Sequence, residues 1–248
     1  MSDPFRIDGK RALVTGANSG IGQAIAEGLA AAGAHVICAG RSSCAETLAH
    51  ITDAGGSAEE LHMELVDLVK AAGLLAGISP LDILVNNAGT IRRGPAEHHS
   101  EQDWDDVIDI NLKAVFMLSQ AFARSALERN APAKIVNIAS MLSFQGGIHV
   151  GAYTAAKHGV AGLTKLCANE WAGRGINTNA VAPGYIATKN TKALQEDVAR
   201  SAEILGRIPA GRWGRPQDIA GAVVFLASPA ADYVNGAVLN VDGGWLAR

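Results

Sequence analysis

The chain lacks the surplus of positive charge, the long apolar runs and the cysteine sets that mark several classes of protein. Its formal net charge is −3, from 21 Lys and Arg against 24 Asp and Glu. No cluster of basic residues stands out, so it offers no cationic field for nucleic acid. No stretch reaches about 18 uninterrupted apolar residues, and the opening MSDPFRIDGK has no apolar h-region. Neither membrane spanning nor export is expected, and a cytoplasmic location is. The three cysteines, Cys38, Cys44 and Cys167, form no C-x-x-C or Cys/His set, which favours reduced thiols and predicts no metal. What the chain has is apolar bulk. At 248 residues and 48% hydrophobic, it can bury the core of one domain spanning 1–248.

The strongest local pattern lies at 140–157, SMLSFQGGIHVGAYTAAK. Tyr153 and Lys157 are four residues apart in an alanine-rich segment that reads as helix, so both leave one face a turn apart. A free tyrosine titrates near pH 10, too high for proton exchange at neutral pH, but an ammonium within about 4–6 Å favours the phenolate. Lys157 is therefore expected to lower the Tyr153 pKa and make it an acid/base. Ser140 follows the apolar run KIVNIA at a strand end, placed to hydrogen-bond a carbonyl oxygen that gathers charge.

A second pattern opens the chain. A β-type run over 10–15 meets Gly16-Ala17-Asn18-Ser19-Gly20-Ile21-Gly22 and then an amphipathic segment at 23–32. Strand, glycine turn and helix in that order put backbone N–H groups and a positive helix end where a pyrophosphate can bind. Gly16 permits the turn, Gly20 lets a ligand approach the backbone and Gly22 lets the helix pack on the strand. The second strand, 34–39, ends in Gly40-Arg41. In dinucleotide folds an acid near that point binds the ribose 2′-OH, whereas an arginine accommodates a 2′-phosphate, so NADP(H) is favoured over NAD(H).

The T-G-x-x-x-G-x-G turn, the tetrapeptide Asn86-Asn87-Ala88-Gly89 and a Y-x-x-x-K with serine 13 residues upstream occur here in order. With them the chain resembles the short-chain dehydrogenase/reductase family from about residue 9 to 248. The resemblance implies a doubly wound parallel α/β sheet (Rossmann fold) with helices on both faces, and reversible hydride transfer at a CH–OH group. It implies that Asn111, Ser140, Tyr153 and Lys157 are catalytic, Asn111 holding a water between Lys157 and solvent. Cofactor contacts are implied at Gly16, Asn18, Ser19, Gly20, Ile21, Gly22, Arg41, Asn87, Ala88, Gly89, Tyr153, Lys157, Pro183, Gly184, Ile186 and Thr188. Asn86 reads at least as well as a structural residue. Where the family has an aspartate and an apolar residue for adenine, this chain has Glu64-Leu65, with Asp67 beyond.

Further strands are expected at 57–65, 81–85, 134–140, 177–182 and 237–241, and helices at 103–129, 151–173 and from 215 onward. The helix within 66–80 is placed only loosely. The first two of those helices are apolar on more than one face, which points to a homotetramer. Residues 185–214 are the expected substrate loop. The segments IASMLSFQGGI, PGYIAT, RIPAGRWG, DYVNG and VDGGWLAR resemble a branch of the family acting on keto/hydroxy sugar acids of the gluconate or deoxy-keto-gluconate type. Such a substrate needs a cation for its carboxylate and polar groups for its hydroxyls. Arg92 and Arg93 are candidates for the first, with Lys189 and Arg212 behind them, and Ser140, Gln145 and Tyr185 for the second. The alternatives are a dehydrogenase of another polyol or ketone, an NAD-retaining epimerase or dehydratase, and a non-catalytic cofactor-binding protein.

Overall fold

The computed structural model describes residues 3–78 and 80–248. Seven strands form one parallel sheet in the order β3-β2-β1-β4-β5-β6-β7. They are β1 (Arg11–Thr15), β2 (His35–Gly40), β3 (Ser57–His62), β4 (Ile83–Asn86), β5 (Ala133–Ile138), β6 (Ile176–Pro183) and β7 (Val238–Val241). The helices are α1 (Gly20–Ala31), α2 (Ala45–Asp53), α3 (Leu68–Gly77), α4 (Glu101–Ile108), α5 (Ala114–Glu128), α6 (Gly151–Trp171), α7 (Lys192–Glu196), α8 (Val198–Arg207) and α9 (Pro216–Ala227).

Both faces of the sheet are buried, so strand residues of either parity are apolar. Val14, Val36 and Val85 point to one side, where they meet Ile25 and Leu29 of α1, Ile51 of α2 and Val223 of α9. Leu13, Ile37 and Leu84 point to the other, against Leu75 of α3 and Leu118 and Phe122 of α5. Each of these side chains contributes about 1.5–3 kcal/mol by leaving water. The chain order reverses between β1 and β4, and a doubly wound sheet binds ligands outside the carboxyl ends of its strands at that crevice. No helix among the described residues is long and apolar enough to cross a membrane.

The structure corrects several expected boundaries. The strand expected over 57–65 stops at His62, because its partner β2 ends opposite it at Gly40; further on, Asp67 caps α3, its carboxylate accepting from the Lys70 N–H at 3.0 Å. The single helix expected over 103–129 is α4 and α5 joined by a π-helical turn, Asp109–Lys113. The expected substrate loop contains the helices α7 and α8, and α2 lies where no helix was read.

Candidate active site

The glycine turn is closed by contacts that only glycine tolerates. Gly16 and Gly20 have φ of +66° and +58°, and a Cβ on Gly22 would lie 2.1 Å from the Gly16 carbonyl oxygen. Asn87 clamps the same turn, its Nδ2 donating to the carbonyls of Thr15 (2.9 Å) and Gly16 (3.2 Å). The Thr15 hydroxyl oxygen accepts from the N–H groups of Asn87 and Ala88, both at 3.0 Å. Asn86 is buried, donating to Ser119 and Asn137, so its side chain serves the sheet. At the start of α1, Ser19 makes no side-chain cap and the first turn carries no acid. Helix N–H groups without a partner of their own suit an anion of the pyrophosphate kind. Thr188 roofs this position, its Cγ2 3.6 Å from where a Gly20 Cβ would be.

At the carboxyl end of β2 Gly40 is buried, and a Cβ there would meet the Ser42 carbonyl oxygen at 3.0 Å. An acidic side chain is therefore crowded out of the position that would bind a ribose 2′-OH. Arg41 beside it is exposed. Glu64 stands exposed with His62 Nε2 3.5 Å from its carboxylate. Leu65 packs against the core on the α3 and α5 side, and Asp67 is taken up as the cap of α3.

Ser140 lies just beyond β5 and caps a short turn, its Oγ accepting from the Leu142 N–H at 3.1 Å. The Ser143 hydroxyl in that turn donates to the Lys157 carbonyl at 2.6 Å, which docks the turn on α6. The Tyr153 phenol lies close enough to Ser140 for the serine hydroxyl to favour the phenolate. Lys157 is buried at 4% exposure, and its Nζ donates to the Ile138 carbonyl at 2.6 Å while lying 5.5 Å from the Tyr153 ring centroid. Burial pulls the Lys157 ammonium down to about 8.

These contacts correct the expected electrostatics. Burial raises the Tyr153 phenol above its ordinary value, opposed by the neighbouring Ser140 hydroxyl and the positive charge of Arg93. Lys157, whose ammonium is itself desolvated, directs one of its three N–H donors at the Ile138 carbonyl and lies against the Tyr153 ring. Asn111 lies in the π-helical turn between α4 and α5. It is fully buried there, donating to the carbonyls of Thr90 and Val107, each at 2.8 Å, and accepting from the Thr90 N–H at 3.2 Å. Its side chain fastens the loop after Gly89 to the helix.

The substrate candidates separate. Arg92 is occupied, with Asp103 and Asp106 at 3.4 and 3.2 Å and a bond to the Thr90 hydroxyl at 3.2 Å. Arg93 is exposed, and its charge reaches the Tyr153 phenol. Arg212 is paired with Asp218 at 2.6 Å and Lys189 is exposed, while Gln145 is half-buried. Tyr185 sits edge-on to Trp213 and Trp245, with centroid distances of 5.5 and 4.9 Å. The sequence reading missed Trp213 and Trp245, although RIPAGRWG and VDGGWLAR carried both. Thr15, too, was read only as the end of a strand.

Residues 16–246 match a family model described as enoyl-(acyl carrier protein) reductase. The chain is 53% identical to 2-dehydro-3-deoxy-D-gluconate 5-dehydrogenase of Escherichia coli (strain K12), covering 98% of each. It is also similar to a structure from Agrobacterium tumefaciens assigned as a 2-deoxy-D-gluconate 3-dehydrogenase with bound NADP, at 62% identity, full coverage of both chains and a TM-score of 0.98. A gluconate 5-dehydrogenase from Burkholderia cenocepacia J2315, in complex with NADP and tartrate, is 40% identical over 99% of this chain and 98% of that one, with a TM-score of 0.92.

Proposed function

The chain belongs to the short-chain dehydrogenase/reductase family, and on that premise we propose that it transfers a hydride between a nicotinamide cofactor, NADP(H) in preference to NAD(H), and a keto/hydroxy sugar acid of the gluconate or deoxy-keto-gluconate type. The observation that carries this reading is the convergence on Tyr153, at the carboxyl end of the sheet, of Ser140 just beyond β5 and of Lys157, whose Nζ lies 5.5 Å from the Tyr153 ring centroid, beside an α1 N-terminus that carries no side-chain cap. Residues 1–248 then act as one dinucleotide-binding and catalytic domain.

The pyrophosphate is held by the glycine turn and α1, the 2′-phosphate by Arg41 and the nicotinamide ribose by Lys157. When bound, the cofactor supplies or takes up the hydride. Tyr153 exchanges a proton with the substrate oxygen, which Ser140 holds by a second hydrogen bond. With the phenol raised, Tyr153 is a proton donor at neutral pH, as ketone reduction requires. Arg93, close enough for its charge to favour the phenolate, supports the opposite direction and, having no ion-pair partner among the described residues, is offered to the substrate carboxylate. Arg92 holds the loop through Asp103 and Asp106.

The enzyme is further proposed to act in the cytoplasm as a homotetramer. The assembly is supported by a mainly apolar groove of about 340 Å³ lined by Ile108, Leu112, Lys113, Phe116, Gly159 and Leu163 on α4–α6 and the turn between α4 and α5, for which a second copy of this surface is the natural cover.

The functional reading is tested by initial rates on gluconate and deoxy-keto-gluconates against neutral polyols, sterols and simple alcohols, each with NADP and NAD. Aldonate-type substrates with NADP should lead. Far faster oxidation of a neutral alcohol would remove the sugar-acid assignment and leave the dehydrogenase standing.

A further inference from the structure

The segment after β7 is built into the roof of the site. Asp242 accepts from the N–H groups of Gly244 and Leu246, each at 2.9 Å, folding the chain into a tight turn with Gly243 and Gly244 at φ of +66° and +89°. That turn touches two parts of the site. Gly184 passes so close that a Cβ on it would lie 2.7 Å from Asp242 Cα. On the other side the Gly243 carbonyl accepts from the Ala210 N–H at 3.0 Å, and Arg248 donates to the Gly206 carbonyl at 2.8 Å.

Trp245 completes the junction. It is 5% exposed and packs with Met141, which follows Ser140, and with Ile204 and Ile208 at the end of α8. The Arg207 guanidinium lies 4.0 Å over its ring, and Tyr185 meets it 4.9 Å away at an interplanar angle of 64°. One ring therefore joins the turn after Ser140, the first residue of the substrate segment and the helix that closes that segment.

We propose that Trp245 is a positioning residue for the substrate: it fixes α8 and Tyr185 over the site, and so sets affinity for the sugar acid while leaving cofactor affinity alone. This deepens the functional reading and rests on it, with Tyr185 taken as one of the polar groups for the substrate hydroxyls. The phosphate and adenosine end of the cofactor cradle is built from α1 and β2, and the Trp245 cluster contains no residue of either. The indole Nε1 is buried without a hydrogen-bond partner among the described residues, so the ring body carries the effect and a phenyl ring should replace it.

The test compares Trp245→Ala, Trp245→Phe and Arg207→Ala. Trp245→Ala is expected to raise KM for the sugar acid about tenfold or more, the cost of a misplaced binding element, and to hold the NADP dissociation constant within about twofold. Tryptic cleavage at Arg200 should quicken in that variant. Trp245→Phe should restore both KM and protection. Arg207→Ala, which alters only an exposed side chain, should move both in the direction of the alanine variant and keeps the test alive if Trp245→Ala does not fold. Unchanged KM and protection in the alanine variants, a parallel loss of NADP affinity, or no rescue by phenylalanine overturns the proposal. If the wild type turns over no sugar acid, the functional reading has failed, and the proteolysis and NADP arms still score whether Trp245 fixes α8.

Discussion

Lys157 stands one helical turn beyond Tyr153 on α6, its Nζ 5.5 Å from the ring centroid, yet it gives its hydrogen bond to the Ile138 carbonyl at 2.6 Å. The pair is thus a desolvated cation beside a desolvated phenol, with each pushed toward its neutral form. That carbonyl bond uses one of the three N–H donors of the ammonium and leaves two for a ribose hydroxyl or the phenol.

Stability should register this burial. Folding holds Lys157 at about 8, below its ordinary 10.5, so between those values the unfolded chain binds the extra proton. The penalty is full below pH about 8 and is relieved as pH rises toward about 10.5, at up to about 1.4 kcal/mol per pH unit. The buried thiols act in the opposite sense, Cys38 being raised to about 12 and Cys44 and Cys167 to about 11, and the raised Tyr153 phenol does likewise. The informative quantity is therefore the difference between wild type and Lys157→Met in denaturant midpoints across that window. It should shift toward the wild type as pH rises, and parallel curves would exclude the burial penalty.

Arg41 should decide between the two cofactors. Removing a forked cation from a phosphate loses a charge-assisted hydrogen bond of about 1.5–3 kcal/mol, or about tenfold or more in affinity. Arg41→Ala should lose that much for NADP and nothing for NAD in cofactor titrations. Tighter binding of NAD than of NADP by the wild type, or unchanged NADP affinity in the variant, refutes the preference.

Arg92 and Arg93 are adjacent in the chain but should behave differently. Arg93→Ala should raise KM for carboxylate substrates about tenfold and move the rising limb of the oxidation pH profile upward, since the charge that favours the phenolate is gone. Arg92→Ala breaks half-exposed ion pairs to Asp103 and Asp106, worth about 1 kcal/mol or less, and should leave that profile in place. Equal shifts in both variants would remove the distinction.

What was legible in the sequence was what local spacing encodes. Gly16, Gly20 and Gly22 are set by one turn of backbone, and Tyr153 and Lys157 by one turn of helix, so each could be read within a few residues. Roles that depend on partners far along the chain could not. Nothing local tells that Asn111 bonds Thr90, that Asp103 and Asp106 take up Arg92 and not Arg93, or that Ile138 takes the Lys157 ammonium. The break between α4 and α5 has the same origin, since apolar periodicity runs through it while the Asn111 side chain takes the Val107 carbonyl at 2.8 Å. Trp245 was invisible as a site residue because its neighbours Tyr185 and Arg207 come from another part of the chain.

The most direct measurement is the turnover of Tyr153→Phe with NADP and the best sugar acid, taken alongside its NADP affinity. The substitution removes one hydroxyl and keeps the ring beside Lys157, so fold and cofactor affinity should stay near those of the wild type. Turnover should fall by about 10²–10⁴ or more, the range for losing a general acid/base. Turnover near the wild-type rate would contradict proton exchange at Tyr153 and with it the mechanism derived from this site.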